Sequence, residues 1–241
     1  MADEVWLCWS SGKDSAWALR ALQRDPCIRA TTLVTTMNVT FDRVAMHAVR
    51  RDLVERQAAA AGLRLELVDI PWPCTNAQYE AVMGALVAKA LAAGVTRMAF
   101  GDLFLEDVRS YREKMLAGTG VEPIFPIWGS DTRELAHEMV AGGLDAVVTC
   151  VDPKALSREY AGRRFDADFL ASLPEGVDPC GEHGEFHTFA CAGPMFSEPI
   201  PVRAGEVVDR DGFVFADLLP TTSTHPGDAD SSEKEHDCSS R

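Results

Sequence analysis

The stretch WSSGKDSAW, residues 9–17, decides the fold. It follows the short apolar run VWLCW (5–9), which reads as a buried strand, and opens DSAWALRALQRD (14–25), where Trp17, Leu19 and Leu22 fall at helical spacing. In an open parallel sheet the loop after the first strand feeds a helix whose free N–H groups and dipole favour an anion. Gly12 lets backbone approach closely, Ser10, Ser11 and Ser15 offer hydroxyls, Lys13 supplies a point charge, and Asp14 stands beside it. Such a loop suits a polyphosphate. Its spacing is neither that of a Walker A loop nor that of a dinucleotide-binding G-x-G-x-x-G. The plain alternative is an ordinary helix start capped by Ser11 or Asp14, with Lys13 in solvent.

Working outward, strand and helix patterns alternate. IRATTLVTTM (28–37) is β-branched, and FDRVAMHAVRRDLVERQAAAAG (41–62) predicts one long amphipathic helix closed by Gly62, with His47 early on its surface near the edge of the second strand. LRLELVDI (63–70) predicts a strand, NAQYEAVMGALVAKALAAG (76–94) a helix capped by Asn76, and VTRMAFGDL (95–103) another strand. A helix over 105–120, an extended EPIFPIWG (122–129), a helix over 130–143 capped by Ser130 or Asp131, and a strand in LDAVVTCVD (144–152) complete the series. Strands separated by helices of this length mean βαβ units, so residues 1–152 are expected to form a doubly wound, mostly parallel α/β sheet. Residues 153–220 read as a smaller α+β module, with LSREYAGRRFDADFLASLP (156–174) helical and strands in 180–196 and 205–220. The polar end, 221–241, reads as a disordered acidic tail.

Composition narrows the function classes. With 241 residues, 46% of them hydrophobic, the chain can bury a substantial core. No run approaches the ~18 apolar residues of a membrane span, and MADEVWLCWS lacks the basic start of a signal peptide, so a soluble cytoplasmic protein without a membrane partner is expected. Seven scattered cysteines without a C-x-x-C pair predict reduced thiols. The net charge of −14 gives no electrostatic footprint for nucleic acid.

The segment SSGKDS (10–15) resembles the S-G-G-x-D-S signature of the PP-loop, or N-type ATP pyrophosphatase, superfamily, with Ser11 where the first glycine is commonest. Four longer blocks, PWPCTNAQYEAVM (71–83), GDLFLEDVRSYREKMLAGTGVEPIFPIWG (101–129), CVDPKALSREYAGRRFD (150–166) and DPCGEHGEFHTFACAGPMF (178–196), resemble the diphthine–ammonia ligase family within it. The resemblance implies an AMP-forming amide ligase. ATP, with Mg2+, adenylates a carboxylate and releases pyrophosphate, and ammonia then displaces AMP. The carboxylate would be protein-borne, on elongation factor 2, in an archaeal or eukaryotic source. Rival readings are a PP-loop enzyme of tRNA thiolation, which needs persulfide cysteines and a basic face, and a non-catalytic nucleotide sensor.

Further site residues follow. Gly101 and Asp102 end a strand on the same sheet edge as the Ser10 loop: Gly101 is expected to admit ribose or adenine, and Asp102 to orient substrate or metal. Glu182, Glu185 and His187 are expected to line an acceptor pocket whose carboxylates hold ammonium or a trimethylammonium group, with Glu185 or His187 as the base that deprotonates ammonium. Cys180, His183, His187 and Cys191 have zinc-capable types and spacing, but strand alternation does not gather all four, and the family pattern carries Asn at 183, so no metal ligand is assigned. Trp72 could wall the pocket or pack in the core, and EPIFPIWG could pack under the smaller module or form a homodimer contact.

Overall fold

The computed structural model describes residues 2–221, so the tail expected over 221–241 lies, beyond Thr221, outside the described residues. The first six strands and four of the helices follow the predicted alternation except for β3, which no pattern predicts: β1 (Asp3–Cys8), α1 (Lys13–Arg24), β2 (Ile28–Asn38), β3 (Arg43–Val44), α2 (Arg51–Ala61), β4 (Arg64–Ile70), α3 (Asn76–Ala92), β5 (Arg97–Ala99), α4 (Glu106–Leu116) and β6 (Glu122–Ile124). They form a six-stranded sheet in the order β3-β2-β1-β5-β6, with β4 also paired to β2, and every pairing is parallel except that of β3. From β1 the chain moves outward to β2 and β4, then returns to β5 on the other side. The change of direction at β1 opens a crevice beyond its carboxyl end, where α/β sheets bind ligands.

Period-two alternation sets the layers. In β1, Val5 and Leu7 face the core that holds α1 and α2, while Trp6 faces a second core with Met83, Leu86 and Val87 of α3. Thr75 caps α3 through a capping box with Gln78, one residue before the expected Asn76, and Asp131 caps α5 (Thr132–Ala141) through the N–H groups of Arg133 and Glu134.

Three expectations are corrected. The strand β7 (Asp145–Val151) does not extend the parallel sheet. It lies inside a second, antiparallel sheet of order β8-β7-β10-β9, with β8 (Phe186–Ala192), β9 (Val202–Arg210) and β10 (Phe213–Pro220). The change of sheet therefore comes before Asp145. An unbroken apolar run is what a strand buried on both faces requires in either kind of sheet, so periodicity could not decide. The single helix expected over 41–62 is only α2; before it the chain makes β3 and a turn in which Met46 and Ala48 have φ of 64° and 54°. Residues 156–174 form a 3-10 turn at Arg158–Tyr160 and the short α6 (Ala167–Ser172) rather than one helix, because Gly162 takes φ 86° between them. The apolar residues of EPIFPIWG are partly used internally: Ile127 is buried, and Phe125 stacks on Phe100 at 5.7 Å.

The two sheets are joined at the loop after β1. Ser11 adopts φ 70°, a left-handed conformation costly for a residue with a Cβ, and its carbonyl accepts both Ala190 N of β8 at 2.9 Å and Gln57 Nε2 of α2 at 3.0 Å. Gln57, fully buried, also donates to Ala190 O at 2.8 Å and accepts Trp9 Nε1 at 2.8 Å. Elsewhere Asp217 of β10 accepts Arg43 at 2.8 Å and Arg50 at 2.6 Å.

Replacing Gln57 by Leu strands a buried indole N–H and leaves two carbonyls each short of a donor, so Q57L is expected to lose about 3 kcal/mol or more in denaturant unfolding. Ser11→Gly relieves the left-handed strain and removes a buried hydroxyl that has no hydrogen-bond partner, so S11G is expected to gain about 0.5–1 kcal/mol.

Candidate active site

A cleft of about 280 Å³ opens at the carboxyl ends of β1, β2 and β5. The β1 loop and the first turn of α1 form its floor through Ser10, Lys13, Asp14 and Ser15; β2, the turn after β3 and α3 form one wall; Gly101, Asp102 and Arg112 form another; and Glu182, His187 and Thr188 close it from the second sheet. The expected residues Ser10, Lys13, Asp14, Ser15, Gly101, Asp102, Glu182 and His187 are thus brought together.

The loop differs from expectation in detail. Helix α1 is capped by Gly12 without a side-chain hydrogen bond, not by Ser11 or Asp14. The first-turn N–H groups have no carbonyl within the helix to accept them, and Lys13 N is taken by Thr188 Oγ1 at 3.0 Å. Ser11 is fully buried behind the loop and does not line the cleft. Gly12 does not line it either: a Cβ there would lie 2.8 Å from His47 Cε1 and 3.2 Å from Thr188 O. Gly101 lines the cleft, but what its missing side chain admits is the α1 backbone, since a Cβ would fall 3.0 Å from Ser15 N.

Lys13 is not the solvated cation of the plain reading, nor does it project freely into the cleft. It is 2% exposed, its Nζ lies 2.8 and 2.9 Å from the two Asp14 oxygens, it donates to the Cys180 carbonyl, and it sits over the Phe186 ring at 5.3 Å. Burial works against the ammonium, but Asp14, Cys180 and Glu182 together outweigh it and hold the Lys13 pKa above its ordinary value. Lys13 is a cation at every working pH.

Across the cleft, burial raises the pKa of Asp102 although Arg112 Nε lies 3.6 Å away, and Asp102 Oδ2 is buried without a hydrogen bond. Glu182 Oε1 accepts Leu103 N at 2.8 Å, and burial, reinforced by Asp14, lifts its pKa to about 7. Glu185, by contrast, is not brought to the cleft. It is buried beside the 178–184 turn, where Oε1 accepts Asp178 N at 3.0 Å.

His187 lies 4.6 Å, centroid to centroid, from His47, whose Nδ1 is 3.1 Å from Thr188 O. Burial, with His47 and Lys13 adding to it, depresses His187 to about 3, and burial depresses His47 to about 4. His47 is expected on a helix surface; the helical spacing of Val49 and Leu53, four residues apart, extends the pattern of α2 back towards its turn. Thr188 and Arg112 carried no sequence signal stronger than their neighbours. Trp72, 58% exposed, lines a separate apolar recess and not this cleft. Cys180, His183, His187 and Cys191 do not assemble: among the described residues no three His, Cys, Asp or Glu side chains are placed to hold a metal by themselves. Among the described residues, no helix is long and apolar enough to cross a membrane.

Comparison with known proteins gives matches of one kind. A family model described as the diphthamide synthase C-terminal domain matches residues 131–215, which take in α5 and strands of the second sheet. The diphthine–ammonia ligase of Danio rerio is 31% identical over 135 residues, 52% of this chain and 52% of its own length. Those of Bos taurus and Homo sapiens are each 29% identical over 118 residues, 46% of this chain and 44% of theirs. The chain thus spans about half the length of these curated relatives.

The depressed imidazoles set a pH dependence. Both bind protons in the unfolded chain below pH 6.5 and resist them when folded, so they make stability fall as pH drops from 6.5 towards 4. Glu182 acts in the opposite sense, since its folded pKa of about 7 makes stability fall as pH rises from 4.5. Subtracting the unfolding free energy of H47Q/H187Q from that of the wild type cancels Glu182. The difference is expected to shift against the wild type by about 3 kcal/mol for each imidazole, roughly 6 kcal/mol in all, between pH 7 and pH 4.

Proposed function

We propose that this chain is a member of the diphthine–ammonia ligase family and works as an ATP-dependent amide ligase that adenylates a diphthine-like carboxylate and transfers ammonia to it. What carries the reading is the convergence of the α1 amino end, Lys13, Asp102 and Glu182 on one cleft, in a chain similar to ligases of that name.

In this proposal adenine lies against Val34, Val44, Tyr79 and Met83, which give the cleft an apolar side, and the phosphates lie towards the first turn of α1. A carboxylate oxygen attacks the α-phosphorus and the bond to the β-phosphate breaks, so pyrophosphate leaves. Lys13 and the α1 dipole offset the charge that develops on it. Ammonia then attacks the acyl carbon, AMP leaves, and the nitrogen gives up a proton. Glu182, poised at about 7, is the acceptor in place of Glu185, which lies elsewhere, and of His187, too weakly basic at about 3.

The same cleft fits a magnesium ion held jointly with the nucleotide. Mg2+ takes one or two protein carboxylates and completes its shell with phosphate oxygens and water, and Asp102, with a buried oxygen left without a hydrogen bond, is the side chain that would hold it. Bound there, it would neutralise phosphate charge beside carboxylates that otherwise repel a polyanion.

A thiolation role finds less support. The cleft cysteine, Cys8, is pushed to about 12 by burial and stays a neutral thiol.

The test incubates the full chain with Mg-ATP, ammonium and candidate carboxylates, including elongation factor 2 bearing diphthine, and separates AMP from ADP. AMP formed in step with amide is expected, with K13M lowering turnover about a hundredfold or more and E182Q raising the ammonium needed for half-maximal rate. ADP with no AMP would overturn the reaction.

A further inference from the structure

His47 is held in place at a conformational cost. Its neighbours Met46 and Ala48 are both left-handed without being glycine, a strained backbone that persists only where the surroundings fix it. The surroundings here are definite: Ala45 N donates to Thr36 O at 3.1 Å, Ala48 N to Val44 O at 3.0 Å, and Arg43 Nη1 to Ala48 O at 2.9 Å. The imidazole Nδ1 faces Thr188 O at 3.1 Å. A nitrogen facing a carbonyl carries the proton, so the neutral ring keeps its lone pair on Nε2. The ring rests on Gly12, at the mouth of α1, so closely that no side chain fits there. His187 lies beside it at 4.6 Å, and both rings line the cleft.

We propose that His47 is a phosphate-binding residue: as the polyphosphate enters over the first turn of α1, Nε2 takes one proton from solvent and donates it in a hydrogen bond to a phosphate oxygen, with His187 packed alongside. The inference rests on the nucleotide reading above and adds a residue and a proton to it. No bond to phosphorus is made or broken in this step.

The charges around the pair explain why the proton arrives with the ligand. Lys13 from α1 acts on both rings, His47 acts on His187, Asp14 faces Lys13, and Glu182 stands on the same closing wall as His187. Without ligand, burial and Lys13 keep both rings neutral at pH 7. Several phosphate charges a few ångströms away reverse the field that Lys13 imposes and favour a cationic imidazole. Two adjacent cations would repel, so the pair takes up one proton between them rather than two.

The test is isothermal titration calorimetry of the full chain with Mg-ATP at pH 7, in buffers that differ in ionisation enthalpy. Wild-type protein is expected to take up about 0.5–1 proton per Mg-ATP bound and close to none with adenosine, which lacks phosphates. In H47Q the uptake is expected to vanish and the affinity for Mg-ATP to fall about tenfold, with adenosine binding unchanged. The proton count on the wild type needs no variant, so a poorly folding H47Q does not shield the proposal. Mg-ATP binding without proton uptake, or H47Q binding it as the wild type does, would overturn the role of His47 while leaving the nucleotide site standing. No binding of Mg-ATP or adenosine by the folded chain would overturn both readings.

Discussion

The Ser11 carbonyl is the constraint on which the rest depends. One residue forced into a left-handed conformation turns that oxygen away from the crevice, where Ala190 N of the second sheet and Gln57 Nε2 of α2 both bind it. In the order β8-β7-β10-β9, β8 is an edge strand, and edges carry unpaired backbone groups that must find partners. Residues 188–190 find them on the loop of the first sheet, through Thr188 Oγ1 on Lys13 N and Ala190 N on Ser11 O. The second sheet is therefore not an appendage. It completes the first turn of α1, and in doing so sets Glu182, His187 and Thr188 at the mouth of the cleft.

That arrangement explains the electrostatics. A loop meant for a polyanion would be expected to offer bare positive charge, yet Lys13 is buried and engaged by Asp14 and by the Cys180 carbonyl. Such an ion pair is nearly neutral from a distance, and Asp102 and Glu182 add negative potential. The help that Lys13 and the α1 dipole give to phosphate must then be supplemented by groups whose charge appears with the ligand, by way of a shared divalent cation or an imidazole that gains a proton. A burial-raised Glu182 and burial-depressed imidazoles in one cleft have the same origin: low-dielectric surroundings penalise whichever form is charged, pushing acids up and bases down.

How much of this could be read from the sequence depended on the range of the interaction concerned. The β1 loop, its strand and its helix are local, and the alternation of strand and helix through β6 was legible from spacing alone. The position of β7 was not, because AVVTCV is equally apolar in a parallel or an antiparallel sheet, and its partners β8 and β10 lie tens of residues away. His47 was misplaced for a related reason. Val49 and Leu53 fall at helical spacing just beyond it, while the left-handed backbone at Met46 and Ala48 leaves no compositional trace when neither residue is glycine. Glycines, too, were read for the wrong neighbour: Gly12 and Gly101 make room for His47 and for the α1 backbone, contacts that exist only after folding.

The separation of Glu182 from Glu185 shows how finely the closing segment is set. Between Asp178 and Phe186, Gly181 and Gly184 have φ of 67° and 87°, and a Cβ on Gly181 would meet Phe186 O at 2.8 Å. Asp178 fixes the turn from within, accepting Cys180 N at 2.8 Å and Thr132 Oγ1 at 2.6 Å, while Glu185 accepts Asp178 N. One carboxylate is thereby used up in holding the turn, and the other is left facing the cleft at Leu103 N. In sequence the two are three residues apart with the same chemistry. The turn makes one a structural acceptor and the other a group that titrates near neutrality, so an acid–base role belongs to the backbone path as much as to the residue type.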